Sequence, residues 1–100
     1  MAVENLVGLY VRDEETYAKY REAMFPILQE YEGGFGYDFK VSETLKSETI
    51  EPINRVFTIH FSSQAQMDAF FADEKYLKVK EKFFTPSVTS TTRISTYEKS

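Results

Sequence analysis

The sequence predicts an α+β fold: a four-stranded antiparallel sheet with two helices on one of its faces. Three observations carry that prediction. The stretch Ile53 to Phe61 alternates as a strand does, with Phe57, Ile59 and Phe61 on a wholly apolar side and Val56, Thr58 and His60 on a mixed one. Apolar residues recur at three- and four-residue spacing in residues 13–31 and again in 63–84, which is the period of a helix. The elements follow one another as β-α-β-β-α-β, the arrangement of two interleaved β-α-β halves.

Strand one is Leu6 to Val11. It is apolar on both faces, with Leu6, Gly8 and Tyr10 on one and Val7, Leu9 and Val11 on the other, so it is expected between two layers. Asp13 is placed to cap a helix running to about Tyr31, and Glu14 and Glu15 suit the positive end of its dipole. Tyr17, Tyr20, Met24, Ile27 and Tyr31 form its apolar stripe. Pro26 lies inside this pattern and predicts a kink or break near Met24–Phe25. Glu32-Gly33-Gly34 ends the helix, with glycine expected in the left-handed cap.

Phe35, Tyr37, Phe39 and Val41 then alternate with polar residues as strand two, and 43–52 reads as an exposed, mobile connection into strand three. Ser63 and Gln66 have capping-box spacing ahead of Met67, Phe70 and Phe71. Asp73 opens a further helix, Glu74 to Phe84, whose alternating lysines and glutamates read as a solvated face. Pro86 stops it, and Val88 to Tyr97 is strand four. Connections between the parallel central strands are expected to be right-handed.

The totals bound the function. One hundred residues form a single domain, 1–100, large enough to bury a core without staples. Without cysteine there are no disulfides and no thiolate metal sites, and with one histidine no histidine-rich metal site is expected within a chain. No cofactor is expected. No apolar run approaches the ~20 residues of a membrane helix, and the N-terminus lacks the pattern of a signal peptide; a cytoplasmic location is expected. The net charge of −4 argues against nucleic acid. Gly34-Phe35-Gly36-Tyr37 is similar to the aromatic word of RNA-recognition motifs, but it falls on the second strand rather than the third and no basic residue precedes it.

Nine Phe and seven Tyr exceed what one small core needs. Two helices cover one sheet face, and no element remains for the other. A large exposed apolar face marks an interaction surface, and the simplest cover is a second copy of the same sheet about a two-fold axis. That gives a homodimer, two sheets enclosing a shared, barrel-like interior.

Glu30-Tyr31-Glu32-Gly33-Gly34-Phe35 resembles the helix-to-strand turn of the domain-of-unknown-function 1330 family. Asn54 to Ser63, with Met67-Asp68-Ala69-Phe70-Phe71 and Asp73-Glu74-Lys75-Tyr76, resembles that family's third strand, second helix and short following helix. The resemblance implies a ferredoxin-like fold assembled as a dimeric α/β barrel, shared with the cofactor-free antibiotic-biosynthesis monooxygenases. It brings no agreed activity and no catalytic residues. The absence of tryptophan and the single histidine set the chain apart from haem-degrading members of that superfamily.

If Phe57, Ile59 and Phe61 face the helices, Thr58 and His60 face the shared interior, with Tyr10 as a neighbour. On strand four, Val88 and Ile94 favour the helices, which turns Thr91, Arg93 and Tyr97 inward. Strand two presents either Tyr37 and Phe39 or Asp38. The candidate site is therefore a pocket lined by Tyr10, Tyr37 or Asp38, Thr58, His60 and Arg93. His60 is the candidate general base and Arg93 the group that holds an anionic or enolate oxygen. Each has a plainer reading: His60 as a hydrogen-bonded residue of the dimer interface, Arg93 as an ion-pair partner, Asp38 as a solvent-facing edge residue. The expected activity is that of a cofactor-free monooxygenase or isomerase on a small organic molecule. The alternative is a binding protein or an accessory homodimer without turnover.

Overall fold

The computed structural model describes residues 1–99. Its strands are β1 (Ala2–Val11), β2 (Gly34–Lys40), β3 (Arg55–Phe61) and β4 (Val88–Lys99), and its helices α1 (Glu14–Glu30), α2 (Gln64–Ala72) and α3 (Glu74–Val79). A π-helical turn, Lys80–Phe84, continues α3. The sheet order is β2-β3-β1-β4 and every neighbouring pair is antiparallel. The sheet is antiparallel throughout, as expected, so the central pair, β1 with β3, is not the parallel pair assumed for the connections. The strands that run parallel, β1 with β2 and β3 with β4, are each separated by one strand.

β1 begins four residues earlier than its apolar run. Val3 to Asn5 pair with Phe61 to Ile59 on one side and with Glu98 to Thr96 on the other, and those ladders hold the polar start of the strand in place. The helix-facing side of the sheet carries Val3, Val7, Leu9, Phe57, Ile59 and Phe61, all buried against Tyr17, Met24, Leu28 and Phe70 of the helices. Asn54 fastens the far end of β1. Its side-chain amide donates to Val11 O at 2.8 Å and accepts from Val11 N–H at 2.7 Å.

The predicted caps form. Asp13 accepts from Thr16 N–H, Ser63 from Gln66 N–H, and Asp73 from Lys75 and Tyr76 N–H. Pro26 does not break α1, which runs on to Glu30. Both Pro26 and Glu22, whose carbonyl loses its partner to the proline, lie on the exposed side, where solvent reaches that carbonyl. The left-handed residue after α1 is Glu32 (φ 57°), not a glycine. Glu32 N–H donates to Gln29 O and Gly33 N–H to Leu28 O, the paired closure of a Schellman motif. Gly33 is required by space instead. A Cβ there would lie 3.0 Å from Cε1 of Phe61 and closer still to Cδ1 of Leu28.

Three irregularities decide which way the strands point. On β2, Gly36 and Tyr37 together oppose Thr58 between the pairs Phe35–Ile59 and Asp38–Phe57. On β4, register shifts lie between the partners of Tyr10 and Val11 and between those of Leu6 and Val7. The segment 41–54 is irregular and mostly exposed, with Leu45 88% and Ile50 99% accessible.

Candidate functional site

Two places on the molecule collect chemistry, one on each face of the sheet. On the open face, register sets Leu6 opposite Thr58 and Glu4 opposite His60, with Gly34 on the far side of His60. Glu4 is 6% exposed, shielded by neighbouring side chains. Its carboxylate accepts from Tyr97 Oη at 2.7 Å and from Lys99 Nζ at 3.2 Å. Lost hydration pulls the Glu4 carboxyl upward. The bonds from Tyr97 and Lys99 and the charges of Lys99 and His60 outweigh it and hold the group below its ordinary value. Thr58 is buried and its Oγ1 accepts from Tyr37 N–H at 2.8 Å. Gly34 and Gly36 keep this floor open: a Cβ on Gly34 would lie 3.0 Å from the His60 ring, and one on Gly36 would lie 2.6 Å from Thr58 Oγ1.

The predicted site residues do not meet in one pocket. His60, Thr58 and Tyr37 share this open face, and Tyr97 joins them as expected. Tyr10 shares it too, but six β1 residues beyond Glu4, a span of about 20 Å at ~3.3 Å per residue. Tyr37 and Phe39 stack on the open side with ring centroids 5.9 Å apart. The β2 bulge is what puts them there and turns Asp38 to the helix side. Asp38 accepts from Arg55 at 2.8 and 2.9 Å and from Arg21 at 3.2 and 3.4 Å. It is the acceptor of two guanidinium groups on the helix side, neither a pocket ligand nor a bare edge residue.

Arg93 is likewise displaced. It pairs with Val7, and Thr91 with Leu9, so both face the helices. The extra residues at Thr89 and Ile94 shift the alternation, which leaves Ile94 on the open side, where it lines a groove with Val56. Arg93 lines the helix-side cavity and also the groove beside Ile94, and His60 lines neither, so the two do not meet at one site within a protomer.

The second place is on the helix side, between sheet and helices. A cavity of about 270 Å³ is floored by Val7, Leu9, Phe57 and Ile59 and roofed by Tyr17, Tyr20 and Met24 of α1 and Tyr76 of α3. Phe71, Lys80, Thr91 and Arg93 are its exposed lining residues and mark its mouth, between β4 and the π-helical turn. Lys80 and Phe84, the two ends of that turn, both line it. Such turns break the regular ladder and concentrate at functional sites.

Inside, Tyr20 and Tyr76 share a hydroxyl–hydroxyl bond of 2.9 Å, and Tyr17 Oη accepts from Arg21 Nε at 2.8 Å. Burial raises all three phenols, that of Tyr20 well above its ordinary value, so they stay protonated at neutral pH. Arg21 lies over the Phe35 ring at 4.0 Å and near that of Phe57 at 4.7 Å. The sequence marked Tyr17, Tyr20 and Arg93 but assigned the tyrosines to the core. The π-helical turn that opens the space beside them has no sequence signal. Among the described residues, no group of three or more acidic, histidine or cysteine side chains is placed to hold a metal. Among the described residues, no helix is long and apolar enough to cross a membrane.

Residues 6–97 match the family model described as "Domain of unknown function (DUF1330)". No curated protein matches the chain. Among solved structures, a protein of unknown function from Rhodopseudomonas palustris superposes with a TM-score of 0.83 at 17% identity, covering 99% of this chain and 82% of its own. A DABB family protein with a ferredoxin-like fold from Mesorhizobium loti gives 0.67 at 10% identity, covering 99% and 97%. A dimeric ferredoxin-like protein of unknown function from Jannaschia gives 0.58 at 17% identity, covering 99% and 100%. At these identities the likeness is one of fold, and the fold is ferredoxin-like.

Proposed function

We propose that this chain, which belongs to the DUF1330 family, is a homodimeric binding protein for a small organic molecule held between its sheet and its helices. The observation that carries the reading is the cavity at the π-helical turn. Its volume is just under the ~300–1,000 Å³ of common small-molecule sites, which limits the guest to about one ring. Its walls are aromatic and apolar, and its few polar groups converge from α1, α3 and β4.

The dimer is proposed through the open face, where Tyr37 is 64%, Phe39 55% and Ile94 49% exposed. The dimeric ferredoxin-like relative supports it. Light scattering at low micromolar concentration tests it, and a stable monomer overturns it.

The chain has no tryptophan, so Phe71→Trp places a single reporter at the cavity mouth. Titration with a library of single-ring aromatic compounds is expected to change its emission saturably, and to raise the melting temperature of the unaltered protein. If neither happens with any member, the binding reading fails.

A cofactor-free oxygenase or isomerase is the second reading. One observation favours it: His60 lies beside the shielded carboxylate of Glu4, below the opening kept by Gly34. Turnover that is lost in His60→Ala while cavity binding persists would move the function to the open face.

A further inference from the structure

We propose that the molecule held in the helix-side cavity is a single-ring aromatic carboxylate, whose anionic group is received by Lys80 and Arg93 at the mouth. This rests on the binding reading above and specifies its ligand. The balance of donors and acceptors in the cavity decides the class of guest.

Its charged groups, Arg21, Lys80 and Arg93, are donors only, and its buried phenols have O–H groups to spare. In the Tyr20–Tyr76 pair one hydroxyl donates to the other, and the second O–H has no acceptor among the described residues. Tyr17 accepts from Arg21, and its own O–H is also without an acceptor there. Tyr17, Tyr20 and Tyr76 are all at most 5% exposed. Each of these oxygens already makes one bond, and a guest oxygen would add a second through the O–H that is left over. The Asn5 carbonyl oxygen is already taken by Thr96 Oγ1 at 2.8 Å. No Asp or Glu lines the cavity.

The charges agree. Arg21 is already matched by Asp38. Lys80 and Arg93 make no ion pair with any described carboxylate, although acidic residues outnumber basic ones sixteen to twelve in the chain. Lys75, on the same run, is held by Glu30 at 2.7 Å, whereas Lys80 and Arg93 keep their charge free at the cavity mouth. A donor-rich interior with two cations at its mouth complements an acceptor-rich anion. Phe35, Phe57, Phe71 and Phe84 complement a ring.

The test compares two acids with their uncharged amides, benzoate against benzamide and salicylate against salicylamide, by calorimetric titration of the unaltered protein and of Lys80→Gln, Arg93→Gln and their double variant. Both side chains are exposed, so the variants are expected to fold. The acids should bind at least about tenfold more tightly than the amides, which is the value of one shielded charge-assisted bond. The double variant should lose about that factor for the acids and nothing for the amides. Added salt should weaken only the acids. If acids and amides bind equally, or the variants leave acid affinity unchanged, the anion assignment is overturned while the cavity reading stands. If no acid and no amide binds, and the Phe71→Trp titration is also flat, both are overturned.

Discussion

Asp38→Asn separates a structural clamp from a ligand-binding group. The forked bond from Arg55, at 2.8 and 2.9 Å, is short, and the Arg55 side chain is 15% exposed. The Arg21 contacts are longer, and its side chain is 17% exposed. Asp38 itself is 32% exposed, which screens both. A shielded charged hydrogen bond contributes roughly 1.5–3 kcal/mol and an exposed ion pair about 0.2–1 kcal/mol. Between those limits, removing the charge should cost about 2 kcal/mol, or roughly 8–16 °C in melting temperature for a chain of this size. The assay is urea unfolding at one fixed protomer concentration, because association makes apparent stability concentration-dependent. A double-mutant cycle with Arg55→Gln should return a coupling of about 1 kcal/mol.

The pH dependence has a defined sign. The bonds from Arg55, then the charges of Arg21 and Arg55, outweigh lost hydration and hold the Asp38 carboxyl below its ordinary value. Its stabilisation is therefore complete above the unfolded value near ~3.9 and is lost as pH falls through the folded one. The stability gap between the unaltered protein and the Asp38→Asn variant should shrink steadily as pH drops below about 4. A gap that stays constant with pH, or a coupling under about 0.3 kcal/mol, would refute the clamp. A solvent-facing or ligand-binding aspartate predicts a change within about 0.5 kcal/mol instead.

Two further predictions concern the turn after α1 and the buried tyrosines. Gly33→Ala should destabilise by about 1–3 kcal/mol through overpacking against Leu28 and Phe61, since both are fully buried and neither can give way. Glu32→Gly should stabilise by up to about 1 kcal/mol, because it removes the left-handed strain while giving up only an exposed bond from Gln66; chemical denaturation measures both. At alkaline pH, burial raises the phenols of Tyr17, Tyr20 and Tyr76 above ~10, so the unfolded chain releases protons that the folded chain keeps. Stability should decline as pH climbs past that value. Tyrosinate absorbance should reach its full amplitude only as circular dichroism reports unfolding, and full ionisation of a still-folded protein would contradict the assigned burial.

The fold was legible because its signals are local or periodic. Asp13, Ser63 and Asp73 cap because a short oxygen beside free N–H groups caps in almost any context. Phe57, Ile59 and Phe61 face the helices because a regular strand alternates. The element order then leaves few topologies. The break expected at Pro26 and the left-handed glycine were propensities, and tertiary context overrode both. Pro26 falls on the solvent side of α1, and the Cβ-free position was needed at Gly33 for space while Glu32 took the strained backbone.

The site was legible only where alternation ran undisturbed. His60 and Thr58 fall on the expected face because β3 carries no bulge. Arg93 does not, because an extra residue reverses the side chains that follow it until a second bulge restores them, and the face of β2, left open between Tyr37 with Phe39 and Asp38, was decided by the bulge at Gly36 and Tyr37. The sequence by itself determined the element order, the caps and the apolar face of β3, all consequences of neighbours along the chain. Tertiary structure alone decided which residues share a face and that a cavity opens beside the π-helical turn. Those depend on register between strands that are far apart in sequence, and on how closely two packed layers approach.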